Sequence, residues 1–299
     1  MFSLKARTHA VGVRNPKLKS FKTDHLYHIA LDTAHNDLQE MFGDVKCVCF
    51  GGQPSRMERF TKLIREEFGL TPSNGEPPRN YAAGTDRYAL YKAGPILAVS
   101  HGIGIPSLSV VFNEIVKLMY YAKCKDVTFF RIGTCGGVGL EPGTVVVTDK
   151  ASILGKKVER PALANKELNA EILECVTETD EFKTVTGTTL CCDDFYEGQA
   201  RLDGAFCDYE EEDKVRFLQF LKEKNICNIE MESLGFLAMC SSCKGAGLRG
   251  AVVCAILVDR LQGDYIINDI EKLHQWQARP QQLVLRYIKH KFGPQNGSL

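Results

Sequence analysis

The sequence carries no excess of charge of either sign: 37 Lys and Arg are matched by 37 Asp and Glu among 299 residues. No global field draws such a chain to nucleic acid or to an acidic membrane, so its partners are expected to be local and specific. Long apolar runs are missing as well. No window approaches the roughly eighteen apolar residues of a membrane span. The basic N-terminus offers only Val11 to Val13 as an apolar centre, too short for a signal-peptide core. A soluble, cytoplasmic protein with no membrane and no nucleic-acid partner is the expectation. There is no internal repeat, no low-complexity tract, and neither GxGxxG nor GxxxxGK[ST], which argues against a dinucleotide site and a P-loop. Cysteine is plentiful at twelve residues, but most of them lie inside apolar runs such as "VKCVCFGG", "TLCCDDF" and "AVVCAILV". Free Cys behaves there as a small hydrophobe. Cys240 and Cys243 have CxxC spacing but no second pair or His at a zinc-like interval, so no metal is expected.

What is present is an alternation of strand-like and helix-like runs, the pattern of a sheet covered by helices. Strands are predicted over 45–51, 88–92, 95–100, 126–132, 144–149, 184–191 and 250–258. "PSRMERFTKLIREEFGL" opens with Pro54 and stops at Gly69, the expected ends of a helix. "PSLSVVFNEIVKLMYYAKCK" sets Val111, Ile115, Leu118 and Met119 on one helical face. Further helices are predicted over 166–177, 211–224, 233–243 and 269–291. The stretch 71–85, rich in Pro, Gly and Asn, reads as a long surface loop that could serve as a lid. The expected organisation is one α/β domain over 23–293, preceded by a disordered basic segment 1–22 and followed by a flexible tail 294–299.

Three segments share a design in which a buried strand empties into glycines ahead of a helix or loop: "CVCFGGQPSRM", "AVSHGIGIPS" and "FFRIGTCGGVG". Glycines let backbone N–H groups approach an anion, and a helix N-terminus adds a favourable dipole. Arg56 follows Gly51 and Gly52 in the first helical turn. Arg131 is expected near the carboxyl end of a central strand, where ligands of open α/β sheets bind, and its burial calls for an anion. The alternatives are internal pairing with Asp or Glu and ordinary tight turns. A small free anion such as phosphate fits better than a nucleotide tail.

In order along the chain, "GGQPSRM", "GTDRYALY", "SHGIGIPS", "RIGTCGGVGLEPGTVV", "DFYEGQARLDGAFC" and "NIEMES" resemble the animal-type uridine phosphorylases of the nucleoside phosphorylase superfamily. The resemblance runs from about Asp24 to Phe292. It implies an α/β fold with a central mixed, partly barrel-like β-sheet flanked by helices, and a homodimer with sites shared between subunits. The implied activity is a pentosyl transfer in pyrimidine salvage, reversible phosphorolysis of uridine to uracil and ribose 1-phosphate. No cofactor is implied beyond inorganic phosphate as co-substrate. By matching motif, phosphate falls to Gly52, Arg56, Arg131 and Thr134, with Arg87 from the other subunit. Three guanidiniums suit a dianion because arginine matches its oxygens in bidentate geometry. Ribose falls to Met231 and Glu232, with His28 from the neighbour; the base falls to Phe195, Gln199 and Arg201. Glu232 could instead cap the following helix, His28 could be a surface histidine, and Gln199 and Arg201 could decorate a solvent loop.

The implied catalysis is electrostatic stabilisation and positioning without a covalent nucleophile, carried by Arg131 on phosphate and by Arg201 and Gln199 on the departing base. Arg260 is expected to support Arg201. Two departures stand out. Between "VVVTDKAS" and "ILGKKVERPA" the chain is shorter than the family pattern, and Asp259 stands where the uridine enzymes have Asn. A purine phosphorylase, a nucleosidase and a catalytically silent paralogue are therefore kept as competing readings.

Overall fold

Continuous apolar runs with β-branched residues form the centre of this protein, and helices with one apolar face cover them. The computed structural model describes residues 10–153, 161–243, 248–267 and 269–293. Eleven strands occur among them: β1 His25–Leu26, β2 Leu31–Asp32, β3 Cys47–Gly51, β4 Leu90–Ala93, β5 Ile96–Ser100, β6 Thr128–Gly137, β7 Val145–Ser152, β8 Ala162–Leu163, β9 Thr184–Cys191, β10 Ile226–Glu230 and β11 Arg249–Asp259. The helices are α1 Leu38–Phe42, α2 Pro54–Glu67, α3 Gly104–Tyr121, α4 Lys166–Leu173, α5 Glu211–Glu223, α6 Ser233–Ser242 and α7 Ile270–Phe292. The main sheet is mixed, with strand order β10-β9-β7-β11-β6-β3-β5-β4 and β8 on β7. No helix among the described residues is long and apolar enough to cross a membrane. Two compact units are distinguished, one drawn from 1–101, 110–129 and 239–249, the other from 102–109, 130–238 and 250–299.

In the first unit β3 and β5 run parallel, Cys47 opposite Ile96 through Gly51 opposite Ser100, and every residue of both is buried. This is the reading expected of parallel strands covered on both faces. Helix α2 starts at Pro54 and turns Met57, Phe60 and Ile64 inward. Phe50, Phe112 and Phe129 meet with ring centroids 5.3 to 5.5 Å apart. Residues 10–22, expected to be disordered, carry a 3-10 turn at Pro16–Ser20 and bury Val11 and Leu18. The expected tail 294–299 lies outside the described residues.

In the second unit β10, β9, β7, β11 and β6 follow one another, and β10 pairs back antiparallel onto β6, so five strands close into a ring. Leu218 and Leu221 of α5 pack on Val138, Leu190, Ile226 and Ile229 outside that ring. Burying side chains of this size contributes about 1.5–3 kcal/mol each. Strand residues alternate between faces, so Thr189 and Asn228, next to Leu190 and Ile229, turn to the ring interior. Both are fully buried, and Thr189 Oγ1 donates to Asn228 Oδ1 at 2.9 Å. Thr148 of β7 meets Thr189 Oγ1 at 2.7 Å. With the Thr189 proton given to Asn228, Thr148 is the donor of that pair.

The expected strands and long helices are all present. The structure differs from the sequence reading where β6 does not end at residue 132 but continues to Gly137 and α4 stops at Leu173 instead of 177, and β1, β2, β8, β10 and α1 were not anticipated.

Candidate functional site

Arg131 lies in mid-strand on β6, not at a strand exit, and is only 3% exposed. Its side chain runs along the strand over Gly133: a Cβ there would sit 2.5 Å from Nη1 and 2.9 Å from Cζ. The glycine is a slot for the guanidinium, and this explains why a glycine-rich segment remains a strand. Nη1 donates to Cys254 Sγ at 2.9 Å; Nη2 pairs with Glu232 and lies 3.1 Å from Glu230 Oε2. Burial alone would favour loss of the Arg131 proton, but the Glu230 and Glu232 charges outweigh it and hold the pKa above the ordinary arginine value. Arg131 Nε is buried and has no hydrogen-bond partner among the described residues.

Glu230 ends β10, and Glu232 lies two residues beyond it, just before α6. The Glu230 carboxylate accepts from Glu232 N at 2.9 Å and Ser233 N at 3.0 Å, so it is Glu230 that caps the start of α6. The alternative capping role for Glu232 is thereby corrected. Glu232 Oε1 instead accepts from Gly104 N at 2.5 Å, at the start of α3. Met231 between them is half-buried. Thr134 is half-buried too, and strand alternation sets it on the opposite face of β6 from Arg131.

The second group is a loop held from several sides. Asp194 Oδ1 accepts from Tyr196 N and Gly198 N at 2.8 and 2.9 Å, shaping the turn ahead of a 3-10 helix at Glu197–Gln199. Ala200 follows in the left-handed region at φ 52°, a conformation that disfavours any side chain. It is kept there by Arg260, whose Nη2 donates to Gln199 O at 2.7 Å and Ala200 O at 3.3 Å. Tyr209 OH donates to Arg201 O at 2.5 Å. Gln199 and Arg201 are therefore buried, not solvent decoration, at 5% and 6% exposure.

The Arg201 guanidinium stands 4.6 Å over the Phe195 ring and donates to Asp203 through Nε at 2.8 Å and Nη2 at 2.5 Å. That hydrogen bond holds the Asp203 carboxyl below its usual range. Asp264 accepts from Arg260 Nε at 2.7 Å and Lys214 Nζ at 2.8 Å. Burial alone would raise its pKa, but Lys214 and Arg260 together bring it below the ordinary value. Arg260 thus supports the Gln199 and Ala200 backbone and shares the Asp264 segment with Arg201, which takes Asp264 O at 3.1 Å. Asp259 Oδ1 accepts from Gly139 N at 2.9 Å and Leu261 N at 3.1 Å, which makes that carboxylate a brace of two backbone turns.

The remaining expected residues belong to the first unit. Gly52 follows β3, and Arg56 is buried in the first turn of α2. Arg87 is exposed in the loop before β4, its backbone N donating to Thr85 Oγ1 at 3.2 Å. His28 is no unattached surface residue: its Nδ1 lies 2.8 Å from Glu114 Oε1, and its backbone N donates to the same carboxylate at 3.0 Å. The shortened stretch after residue 152 falls on 154–160, outside the described residues. Sequence reasoning missed Glu230, Asp203, Asp264 and the contact of Cys254 with Arg131. The i, i+2 spacing of Glu230 and Glu232 was the available signal for the first.

A mixed sheet with a five-strand ring, a buried arginine between two carboxylates and a braced Gln–Arg loop define a protein of the phosphorylase type. The description "Phosphorylase superfamily" matches residues 46–289. Uridine phosphorylase 1 of Mus musculus is 47% identical, over 95% of this chain and 93% of its own. A solved structure described as "Structural and catalytic analysis of two diverse uridine phosphorylases in the oomycete Phytophthora capsici" superposes with a TM-score of 0.88 at 37% identity, covering 95% of this chain and 99% of its own. A Schistosoma mansoni protein named inactive uridine phosphorylase B is 36% identical, over 93% of this chain and 96% of its own. The chain belongs to the uridine phosphorylases of the animal type, within the phosphorylase superfamily.

Proposed function

We propose that this chain catalyses reversible phosphorolysis of uridine to uracil and ribose 1-phosphate, as a pentosyltransferase of pyrimidine salvage. The observation that carries this reading is Arg131, a buried cation that touches two carboxylates and keeps an Nε–H with no partner among the described residues. A buried charged donor without a partner is unfavourable, and an anion oxygen removes that penalty. Phosphate is assigned to Gly52, Arg56, Arg87, Arg131 and Thr134, and ribose to His28, Met231 and Glu232. Phe195, Gln199 and Arg201 are assigned to the base. Glu232, which pairs with Arg131, would link the sugar hydroxyls to the attacking anion.

Cleavage of an N-glycosidic bond builds positive charge on the sugar and negative charge on the base. Phosphate on Arg131 stabilises the first and then attacks the anomeric carbon, while Arg201 and Gln199 stabilise the second. Inorganic phosphate is the only co-reactant this chemistry needs. The reading carries with it a catalytic domain over 23–293, a cytoplasmic location, and a homodimer in which His28 and Arg87 serve the neighbouring subunit's site.

The test follows uracil release from uridine by absorbance, with and without phosphate. Release that needs phosphate, yields ribose 1-phosphate and drops about 100-fold or more in Arg131→Ala is expected. Release without phosphate would make the protein a nucleosidase. No release with intact phosphate binding would favour the silent reading, for which the inactive Schistosoma relative is the precedent.

A further inference from the structure

We propose that Cys254 of β11 is a positioning residue for the phosphate-binding arginine. The proposal rests on the assignment of phosphate to Arg131. Cys254 Sγ accepts from Arg131 Nη1 at 2.9 Å. The ring interior also holds a polar row: Thr148 of β7 donates to Thr189 of β9, and Thr189 donates to Asn228 of β10 at 2.9 Å. On β6, Cys135 Sγ donates to Ala255 O of β11 at 3.5 Å. Thr148, Thr189, Asn228 and Cys254 are fully buried, and Cys135 nearly so.

The apolar run "AVVCAILV" makes a buried cysteine look like packing alone, and the contacts say otherwise. A guanidinium has five N–H donors in a fixed plane. Glu230 and Glu232 take the Nη2 end of Arg131. They fix one end of the plane and leave rotation about the other free. Cys254 fixes that second end. Its sulfur lies 2.9 Å from that charged nitrogen and accepts its proton. With both ends held, the guanidinium plane and its Nε–H keep one direction.

Three variants test this: Cys254→Val, which stays apolar and close in size and removes the acceptor, Cys254→Ala, which removes the acceptor without adding volume, and Cys254→Ser, which keeps an acceptor. Binding of inorganic phosphate is followed by calorimetry, and KM for phosphate and for uridine by steady-state kinetics. Cys254→Val is expected to weaken phosphate roughly 5- to 10-fold, the net value of one ordinary hydrogen bond, while KM for uridine moves less than about 2-fold. Cys254→Ser should restore most of the loss. Equal impairment in Cys254→Val and Cys254→Ser would mean that the thiol only packs, and unchanged phosphate binding in Cys254→Val would mean that it does not orient Arg131. Either result overturns the proposal. Wild-type protein that binds no phosphate would instead remove the assignment beneath it. Should Cys254→Val fold poorly, Cys254→Ala with unchanged phosphate affinity is itself a refutation.

Discussion

Adding one methyl group at Gly133 tests the relation between the strand and its arginine most directly. The new Cβ would lie 2.5 Å from Arg131 Nη1, 2.9 Å from Cζ and 3.0 Å from Nη2, roughly 1 Å inside ordinary contact distance. What it meets is the far end of a flexible side chain, so the backbone need not shift and the steric cost is small. The guanidinium must leave, however, and with it go the contacts to Cys254, Glu230 and Glu232. If Arg131 contributes one charge-assisted hydrogen bond to phosphate, its displacement removes about 1.5–3 kcal/mol. That corresponds to roughly a 10- to 150-fold rise in KM for phosphate. Gly43→Ala is the matched control. There the Cβ would meet backbone, 2.5 Å from Gln39 O and 3.2 Å from Ala122 O. Gly43→Ala should lose about 1–3 kcal/mol of stability and keep its phosphate KM. Gly133→Ala should instead raise that KM, and it should also lower the melting temperature because it parts a buried cation from two buried carboxylates. A Gly133→Ala enzyme with the wild-type phosphate KM would refute the placement of Arg131 over Gly133 or its role toward phosphate.

Asp203→Asn should lower kcat/KM for uridine about 5- to 10-fold without changing phosphate KM, because it frees Arg201 from a two-point clamp; the Asp203 side chain is half exposed, so denaturant midpoints should stay put, and unchanged uridine kinetics would argue that the clamp is idle. Ala200→Gly should raise stability by about 1 kcal/mol in urea unfolding, since it relieves a left-handed backbone at φ 52°; a loss of stability would mean that the Ala200 methyl group packs usefully. Asp264 has a depressed folded pKa, so its contribution is present above its ordinary value of 3.8 and is lost as pH falls through the folded value. Urea midpoints of the wild type should therefore fall more steeply below about pH 4 than those of Asp264→Asn, and parallel pH profiles would count against the Lys214–Asp264–Arg260 network as a source of acid sensitivity.

The sheet was legible where strands are long and apolar: β3, β5 and β11 are buried nearly throughout, and nothing else folds such runs so simply. β10 escaped notice because "ICNIE" is five residues long and sends Asn228 inward, which breaks the apolar pattern. The end of β6 was misread for a different reason. Glycine in a strand was taken as punctuation, whereas Gly133 and Gly136 are thin points that let Arg131 and Arg260 lie close. Arg131, Glu232, Gln199 and Arg201 could be named from motif alone. Their braces could not, because Glu230, Asp203, Asp264 and Cys254 become partners only when the chain closes on itself.

The five-strand ring restricts how the sequence can vary. Each of its strands carries a buried polar or sulfur-bearing side chain, Arg131, Thr148, Thr189, Asn228 or Cys254, and strand residues alternate with a period of two. Inserting or deleting a single residue within β6, β7, β9, β10 or β11 would turn that strand's contribution outward and put a hydrophobic residue in its place. Changes of length are harmless only in the connections. Lineages of this protein should therefore differ in the spacing between these strands while the strands themselves keep an invariant count, so that a gap falling inside one of them marks a chain that has given up Arg131.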